Sequence, residues 1–350
     1  MRLDLEKHML DEKKLQAYLS RSKIPAYRFR QIVAAVYQRG VLDYRQMTDI
    51  PVALQDELAG QFPPVSLQVQ TRQASADDQT QKLALRTADG AIVEIVILHN
   101  ATGRVSVCIS SQIGCAVGCA FCATGRMGFR RDLTAGEIVD QVLVARSMLY
   151  AEHGRDKPLP TNVIIMGMGE PFLNYAATLQ AIRWLQEKLN IGGRRLTIST
   201  AGVVPAIEQF SREGLQVNLA VSLHAATDTL RSELMPINRK YPLAQLREAV
   251  QAYMVQTSRK VFFEYIMLSG VNDSNAQAEQ LASWLPDELA HVNLIRFNRV
   301  EGLSYEPSSD MQVRRFKQIL LDNHIPVTVR HSMGDEIAAG CGQLAGRSTV

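Results

Sequence analysis

The chain has 350 residues, of which 46% are hydrophobic and 21% are charged. This composition excludes an intrinsically disordered protein. The 38 basic and 35 acidic side chains leave a formal charge of +3, which permits contact with nucleic acid without requiring it. No apolar run reaches the roughly 18 residues of a membrane span, and the mixed charges of MRLDLEKHMLDEKK at the start argue against a signal peptide. Five cysteines, an odd number, argue against a disulfide framework, so we expect a cytoplasmic protein without a membrane partner.

Residues 1–65 have the periodicity of amphipathic helices. DEKKLQAYLSRS, YRFRQIVAAVYQRG and PVALQDELAGQF each place apolar residues three or four positions apart. The pattern predicts a small helical N-terminal accessory domain. Tyr27, Arg28 and Arg30 could present a basic and aromatic face to RNA, although a solvated helix face is the commoner explanation.

Residues 66–103 change to the alternation of β-strands. KLALRT, the turn Asp89-Gly90 and AIVEIVIL predict a β-hairpin that links the helical domain to the rest of the chain. The polar stretch from Thr71 to Thr80 predicts a loop before this hairpin.

Residues 104–330 alternate short apolar strands with amphipathic helices, which is typical of a parallel sheet covered by helices. Six or seven such units fit a partial or complete βα barrel, with a doubly wound open sheet as the alternative. The predicted strands are VSVCI (105–109), NVIIM (162–166), RLTIS (195–199), NLAVSL (218–223), VFFEYIM (261–267), HVNLIRF (291–297) and IPVTVR (325–330).

Small and polar residues gather where these strands end, and ligands of parallel sheets bind just beyond the carboxyl ends of the strands. The first strand ends at Cys108, and a loop with three cysteines follows it. The sequence therefore predicts a ligand site at this end of the sheet. The other candidate residues are Gly169, Glu170, Ser199, Ser222, Leu223, His224 and Asn298.

The stretch CAVGCAFC contains Cys115, Cys119 and Cys122. Structural zinc normally takes four protein ligands in two pairs, and no second CxxC exists here. Three cysteines on a four-iron cluster leave one iron open to the amino and carboxylate groups of S-adenosylmethionine. An electron from the cluster can then split the sulfonium to give a deoxyadenosyl radical. The spacing favours this radical chemistry, with zinc as the alternative.

A family resemblance extends far beyond the triplet and covers nearly the whole chain. The chain is similar to the RlmN/Cfr family of radical S-adenosylmethionine RNA adenosine methyltransferases. That resemblance implies an α/β protein with a partial (βα)6-type barrel over residues 104–330 and a C-terminal segment over 331–350. The motifs that carry it are CISSQIGCAVGCAFCATGRMGFRRDLTAGEIVDQV, MGMGEPFLNY, LTISTAGVVP, SLHAATDTLRSELMPIN, YIMLSGVNDS and GCGQLAG.

The resemblance also implies a role for each candidate residue. Cys341 would carry a methyl group, Cys108 would release the product, and Glu94 would accept a proton. From the residues alone, both cysteines would instead be small buried hydrophobes, and Glu94 would be a solvent-facing residue on an alternating strand. A [4Fe-4S] cluster would bind to Cys115, Cys119 and Cys122, and S-adenosylmethionine to Gly169, Glu170, Ser199, Ser222, Leu223, His224 and Asn298.

The implied reaction methylates C2 of an adenosine in the peptidyl-transferase centre of 23S rRNA, and also a tRNA adenosine next to the anticodon. It consumes two S-adenosylmethionine molecules per turnover and leaves a transient Cys108–Cys341 disulfide. An external donor resembling flavodoxin or ferredoxin would supply electrons. Arg126, Arg130 and Arg131, which follow the triplet, would contact RNA phosphates.

Two branches of this family differ in the adenine carbon that they methylate. GEPFLNY and GFRRDL are similar to the C2 branch, whereas LIRFN, with Arg296, is similar to the C8 branch, which confers antibiotic resistance. The C2 branch more often has proline at 296 and in place of Arg299. C8 methylation, a radical enzyme acting on a substrate other than RNA, and a zinc-stabilised RNA-binding protein without activity remain the alternatives.

Overall fold

A computed structural model describes residues 10–154, 159–285, 289–330 and 333–346. The first nine residues, on which the argument against a signal peptide partly depends, lie outside these ranges. The predicted N-terminal helices are confirmed, and the first of them begins at Asp11, whose carboxylate accepts a hydrogen bond from the Lys14 N–H at 2.9 Å. The helices are α1 (Glu12–Arg21), α2 (Ala26–Tyr37) and α3 (Val52–Gln61).

Within the described ranges one sheet contains ten strands, in the spatial order β1-β2-β3-β4-β7-β8-β9-β10-β11-β12. The strands from β1 to β4 pair antiparallel, and those from β4 to β12 pair parallel. The strands are β1 (Gln68–Ala74), β2 (Thr80–Arg86), β3 (Ile92–His99), β4 (Val105–Ile109), β7 (Asn162–Ile165), β8 (Leu196–Thr200), β9 (Asn218–Ser222), β10 (Val261–Met267), β11 (Ala290–Arg296) and β12 (Val327–Arg330).

The strand order decides between the two predicted architectures. Each parallel strand lies beside the next one along the chain, with no reversal of order, which excludes a doubly wound sheet. Cys108 on β4 and Arg330 on β12 nevertheless line one cavity, so the sheet curves around it. A partial βα barrel is therefore confirmed, and its strands match the seven predicted runs.

Helices connect the parallel strands, and a two-stranded antiparallel sheet of β5 (Gln112–Gly114) and β6 (Phe129–Asp132) follows β4. The longest helix begins with a capping box in which Thr134 and Glu137 bond each other's backbone N–H. In the described part of the chain no helix combines the length and apolar character needed to cross a bilayer. The helices are α4 (Ala123–Arg126), α5 (Ala135–His153), α6 (Tyr175–Glu187), α7 (Val204–Phe210), α8 (Asp228–Leu234), α9 (Leu243–Thr257), α10 (Asn275–Trp284) and α11 (Asp310–Asp322).

The predicted hairpin is present as β2 and β3, and Thr80, the last residue of the predicted loop over residues 71–80, already begins β2. The prediction is also wrong for the first four residues of that loop. They belong to β1, which pairs with β2 and leaves most of its side chains exposed or half-buried. An edge strand is held by backbone hydrogen bonds and needs no apolar alternation. The polar sequence of β1 therefore gives no strand pattern.

The basic and aromatic face predicted at the start of α2 partly makes contacts within its own domain. Arg28 donates to Gln31 and to the Asp49 carbonyl, while Tyr27 is exposed.

The buried Arg146 on α5 joins the N-terminal helices to the barrel. Its guanidinium donates to the carbonyls of Leu159 and Leu189, both at 3.0 Å, and to that of Tyr37 at the end of α2. These three carbonyls belong to separate segments of the chain. One cation thus satisfies buried acceptors that would otherwise have no donor.

We expect Arg146→Met to lower the midpoint of thermal unfolding, since each buried acceptor left without a donor costs about 1–3 kcal/mol. Arg314→Met, on the exposed face of α11, serves as the control for loss of one arginine. Circular dichroism melting curves of the two variants measure the difference. Equal midpoints would show that Arg146 does not support the packing of the N-terminal helices.

Candidate active site

A cavity of about 220 Å³ lies at the carboxyl ends of the parallel strands, where the sequence predicted a ligand site. All five cysteines of the chain line it, and Leu223, Asn298 and Glu94 are the candidate residues that do not. The prediction that strand-end residues converge is thus confirmed for most of the set. The candidate residues that line the cavity are Cys108, Cys115, Cys119, Cys122, Gly169, Glu170, Ser199, Ser222, His224 and Cys341.

The cysteine triplet occupies the loop between β5 and α4. The loop is tightly packed, because a Cβ on Gly125 would lie 2.9 Å from the backbone N and O of Cys119. Burial raises the pKa of the Cys115 thiol to about 12 and that of Cys119 well above its usual value. Such thiols stay protonated unless a metal centre stabilises the thiolate.

The donor set of this loop fits an iron–sulfur cluster better than a single ion. Among the described residues, no three His, Cys, Asp or Glu side chains converge closely enough to hold one metal ion. A zinc site requires such convergence, whereas a four-iron cluster separates its three thiolates across a larger body. The sulfurs pack among apolar side chains that include Val117, Phe121 and Met235, and this apolar surrounding is suited to a cluster shielded from water.

Gly169 and Glu170 follow β7 and form one side of the cavity. Gly169 has φ +99°, and a Cβ there would lie 2.6 Å from Cβ of Gln112, so only glycine fits. The Glu170 carboxylate accepts backbone N–H bonds from Phe172 at 3.0 Å and Ala201 at 2.6 Å. Burial raises its pKa to about 7 in spite of these bonds. Glu170 therefore ties the end of β7 to the end of β8.

Hydroxyl and imidazole groups form the adjoining wall. The hydroxyls of Ser199 and Ser222, on neighbouring strands, lie 3.3 Å apart. His224 has φ +61° and accepts the Ile266 N–H on Nδ1 at 3.0 Å, which leaves the proton on Nε2. Burial lowers the pKa of His224 to about 3, so the ring is neutral. Its edge contacts Phe121 in the cysteine loop at a centroid distance of 4.8 Å.

Leu223 and Asn298 serve the site from outside the cavity. Leu223 is fully buried, and its N–H donates to the Glu264 carbonyl at 3.0 Å. The Asn298 amide donates to the Cys341 carbonyl at 3.1 Å, and Gly340 packs closely on it. Asn298 thus holds the segment that carries Cys341.

Cys108 and Cys341 are far apart in the sequence but line the same cavity, and both are free thiols. Cys108 is half-buried at the end of β4, and Cys341 is exposed on the C-terminal segment. Desolvation raises the pKa of Cys108 to about 12, with a further contribution from the nearby Cys341 sulfur. The prediction from the residues alone, that both are buried small hydrophobes, is wrong for Cys341.

The prediction that Glu94 faces solvent is also wrong, since its side chain is only 3% exposed. Both faces of β3 are covered, so an alternating strand here has no solvent side. The Glu94 carboxylate accepts the N–H groups of Ala345 at 2.7 Å and Gly346 at 2.9 Å. It lines a second, outer cavity of about 430 Å³, together with Lys82.

The C-terminal segment, residues 338–346, separates the two cavities. Cys341 and Leu344 line the first cavity, and Ala338 and Gln343 line the outer one. Cys341 therefore faces the cavity of the cysteine loop, and its neighbours in the same segment face the cavity of Glu94.

The three arginines after the triplet have different environments. All five N–H donors of Arg131 are used, on the carboxylates of Asp89 and Glu137 and the carbonyl of Asp132. Arg131 is therefore a structural cation with no donor left for a phosphate, contrary to expectation. Arg130 is exposed, and the Arg126 guanidinium donates to the Gly302 carbonyl at 2.7 Å beside the outer cavity.

Sequence reasoning missed three charged residues. Glu264 and Arg330 line the first cavity with 3.6 Å between their charged groups, and Arg231 lies fully buried behind the strand ends. Glu264 could have been found as the single charge inside the apolar run VFFEYIM, because a charge is rarely buried without a partner.

Comparisons with known proteins agree with this geometry. Residues 109–282 match the Radical SAM superfamily, and residues 8–62 match the ribosomal RNA large subunit methyltransferase N-terminal domain. A probable dual-specificity RNA methyltransferase RlmN of Symbiobacterium thermophilum is 45% identical over 93% of this chain and 86% of that protein. The dual-specificity RNA methyltransferase RlmN of Psychrobacter arcticus is 41% identical over 92% of this chain and 83% of its own length.

The chain belongs to the RlmN family. A crystal structure of a radical SAM methyltransferase from Sphaerobacter thermophilus matches with a TM-score of 0.89 and 45% identity, over 96% of this chain and 98% of that one. The protein is a radical S-adenosylmethionine RNA methyltransferase, for which the family implies a [4Fe-4S] cluster and S-adenosylmethionine. A zinc-stabilised binding protein and a radical enzyme without an RNA substrate are thereby excluded.

Gly169→Ala should destabilise the enzyme, because the methyl group would meet Gln112 in a backbone conformation that disfavours side chains. Strain and overpacking together cost about 2–4 kcal/mol. Gly192→Ala is the matched control, because its added Cβ meets nothing within 4 Å and its φ is −58°. Thermal unfolding of both variants tests the expectation, and a Gly169→Ala protein that melts with the control would contradict it.

Proposed function

We propose that this enzyme methylates C2 of adenosine in RNA through a methyl group carried on Cys341. The observation that carries the proposal is the convergence of all five cysteines on one cavity. Three of them suffice for a cluster, so Cys108 and Cys341 are available for a covalent reaction. The relatives are described as dual-specificity RNA methyltransferases. We propose that the two substrates are an adenosine of 23S rRNA and a tRNA adenosine next to the anticodon. Because these RNAs are in the cytoplasm, we propose that the enzyme acts there.

Under this proposal, one part of the cavity holds the cluster and the adjoining part holds S-adenosylmethionine. Cys115, Cys119 and Cys122 hold the cluster. When bound, the cluster and two S-adenosylmethionine molecules per turnover supply the methyl group, its one-electron activation and the acceptor for the electron that the adenine later gives up. The residues proposed to bind S-adenosylmethionine are Gly169, Glu170, Ser199, Ser222 and His224, which line the cavity, with Leu223 and Asn298 supporting them from outside it.

Cys341 is proposed to take up the methyl group first, because an adenine ring carbon does not readily accept it directly. An adenine ring carbon has no lone pair and is a poor nucleophile, whereas a thiolate readily takes a methyl group by displacement. Gly340 and Gly342 flank Cys341, and a Cβ on Gly342 would meet only the Phe121 carbonyl, at 3.6 Å. A partner can therefore approach the thiol from the side of Gly342, whereas Gly340 packs against Asn298.

Glu94 and Cys108 complete the reaction once the methylene carbon on Cys341 has joined the ring. Glu94 accepts the proton of the ring carbon, which restores the aromatic ring. Cys108 Sγ then attacks Cys341 Sγ: a sulfur–sulfur bond forms and the sulfur–carbon bond breaks. The electron pair of that bond stays on the carbon, which takes up a proton and becomes the methyl group of the product. An external donor resembling flavodoxin or ferredoxin then returns two electrons to the Cys108–Cys341 disulfide.

RNA must present an unpaired or flipped adenine to reach these groups. Arg126 and Arg299 line the outer cavity beside Glu94, where Arg299 is paired with Glu306 and Arg126 donates to the Gly302 carbonyl. The exposed Arg130 adds to this surface, and all three are candidates for phosphate contacts.

C2 is favoured over C8 as the target carbon. Arg296, the residue similar to the C8 branch, lines neither cavity and is engaged by Asp310 at 2.8 Å and the Ser308 carbonyl at 3.1 Å. It lies outside both cavities in this structure, so it does not face the proposed place of the base. The motifs GEPFLNY and GFRRDL therefore carry more weight.

The test of the function is the identity of the methylated nucleoside. The reconstituted enzyme receives S-adenosylmethionine, a reductant and a transcribed fragment of the peptidyl-transferase region, and the digested RNA is analysed by chromatography and mass spectrometry. 2-Methyladenosine is the expected product. 8-Methyladenosine would overturn the choice of carbon, and cleavage of S-adenosylmethionine without methylated adenosine would overturn the substrate.

Cys108→Ala should trap RNA covalently on the protein, because nothing then attacks the Cys341 sulfur. A denaturing gel with labelled RNA should show a protein–RNA conjugate that accumulates in place of free methylated RNA. Cys341→Ala should give neither conjugate nor product. Normal product release by Cys108→Ala would remove Cys108 from the mechanism.

A further inference from the structure

Lys82 on β2 is a buried lysine beside the proposed proton acceptor. Its side chain is 9% exposed, and its ammonium lies 3.6 Å from the Glu94 carboxylate. The same ammonium donates to the Ala338 carbonyl at 3.3 Å. Lysine is almost never buried unless it is paired, so its place on this strand calls for an explanation that neither the sequence motifs nor the family assignment supplies.

The pairing of three strands directs Lys82 to the site. Lys82 pairs with Val96 on β3, and Val96 pairs with Cys108 on β4. Residues paired across a sheet share a face, and Glu94, two positions before Val96, lies on that face as well. Lys82, Glu94 and Cys108 thus project from one surface, with Lys82 and Glu94 in the outer cavity and Cys108 in the first.

Lys82 connects two parts that must act together. One contact holds the carboxylate of Glu94, and the other holds the C-terminal segment at Ala338, three residues before Cys341. Glu94 in turn binds the far end of that segment through the N–H groups of Ala345 and Gly346. Lys82 and Glu94 thus contact each other and bind the two ends of the segment that carries Cys341. These contacts set the position of Glu94 relative to that segment.

We propose that Lys82 is a positioning residue that holds the Glu94 carboxylate aligned with the segment that carries Cys341. The inference rests on the proposed roles of Glu94 and Cys341. Lys82 acts through Glu94 on the proton transfer from the adenine ring. It has no part in loading the methyl group onto Cys341, which does not involve Glu94.

The test follows a single turnover of the reconstituted enzyme with labelled RNA. Lys82→Met keeps the length and volume of the side chain but removes its charge. We expect methylated Cys341, measured by mass spectrometry, to form at a rate within about twofold of wild type. Resolution of the protein–RNA conjugate should slow by about tenfold or more, a fraction of the 10²–10⁴-fold that a general base typically contributes. Lys82→Arg should restore much of the rate because it restores the cation.

Two controls separate positioning from stability. Arg86→Met removes an exposed cation from the same strand and should leave both rates unchanged. In the double variant Lys82→Met/Glu94→Gln, resolution should be no slower than in Glu94→Gln alone, because Lys82 acts through Glu94. Amide hydrogen exchange should become faster in residues 338–346 of Lys82→Met, whatever the state of the reaction.

The outcomes distinguish this inference from the proposed function. If Glu94→Gln resolves the conjugate at the wild-type rate, Glu94 is not the proton acceptor, and the proposed function fails together with this inference. If Glu94→Gln is slow but Lys82→Met is not, only the role of Lys82 is wrong. Additive effects in the double variant, or loss of Cys341 methylation in Lys82→Met, would show a general structural role and overturn the inference.

Discussion

A buried guanidinium holds the site together. Arg231, fully buried, donates to the carbonyls of Ala201 at 2.7 Å, Ser222 at 3.2 Å and Leu223 at 3.1 Å, and to the side chain of Asn238 at 2.8 Å. Burial lowers its pKa to about 10, so the group remains charged at neutral pH. Three backbone carbonyls at and just beyond the ends of β8 and β9 thus share one buried donor, and the Leu223 carbonyl also accepts the Ala225 N–H.

Other interactions of the site extend this anchor. Ala201, held by Arg231 through its carbonyl, donates its N–H to Glu170, which fixes the end of β7. His224, one residue beyond Leu223, then accepts from Ile266 on β10. The ends of four consecutive strands are thus joined through buried polar contacts. One wall of the first cavity is therefore tied together across these strand ends. The opposite boundary is the C-terminal segment, residues 338–346, which is held by hydrogen bonds to side chains such as Asn298 and Glu94.

The sequence was a good guide wherever burial leaves a periodic pattern. The parallel strands and the residues at their ends could be predicted because strands buried on both faces are continuous apolar runs. Pattern reasoning failed where a polar residue has a partner distant in sequence. Alternation predicts an exposed Glu94 because it does not reveal what covers the second face of the strand. Its position after the triplet predicts RNA contact for Arg131, because the carboxylate partner Asp89 lies 42 positions away. β1 was missed because an edge strand carries no apolar signal.

The contacts between the cysteine loop and the C-terminal segment have a consequence for biosynthesis. The Ala123 N–H donates to the Gly342 carbonyl at 2.8 Å, and the Thr124 hydroxyl to the Leu344 carbonyl at 2.6 Å, across 220 positions of sequence. Residues 342–344 leave the ribosome long after the cysteine loop does. The loop therefore lacks these partners throughout translation of the barrel, and its hydrogen bonds are completed only when residues 342–344 arrive. Completion of the cysteine loop and placement of Cys341 are in this way a single late event in the life of the nascent chain.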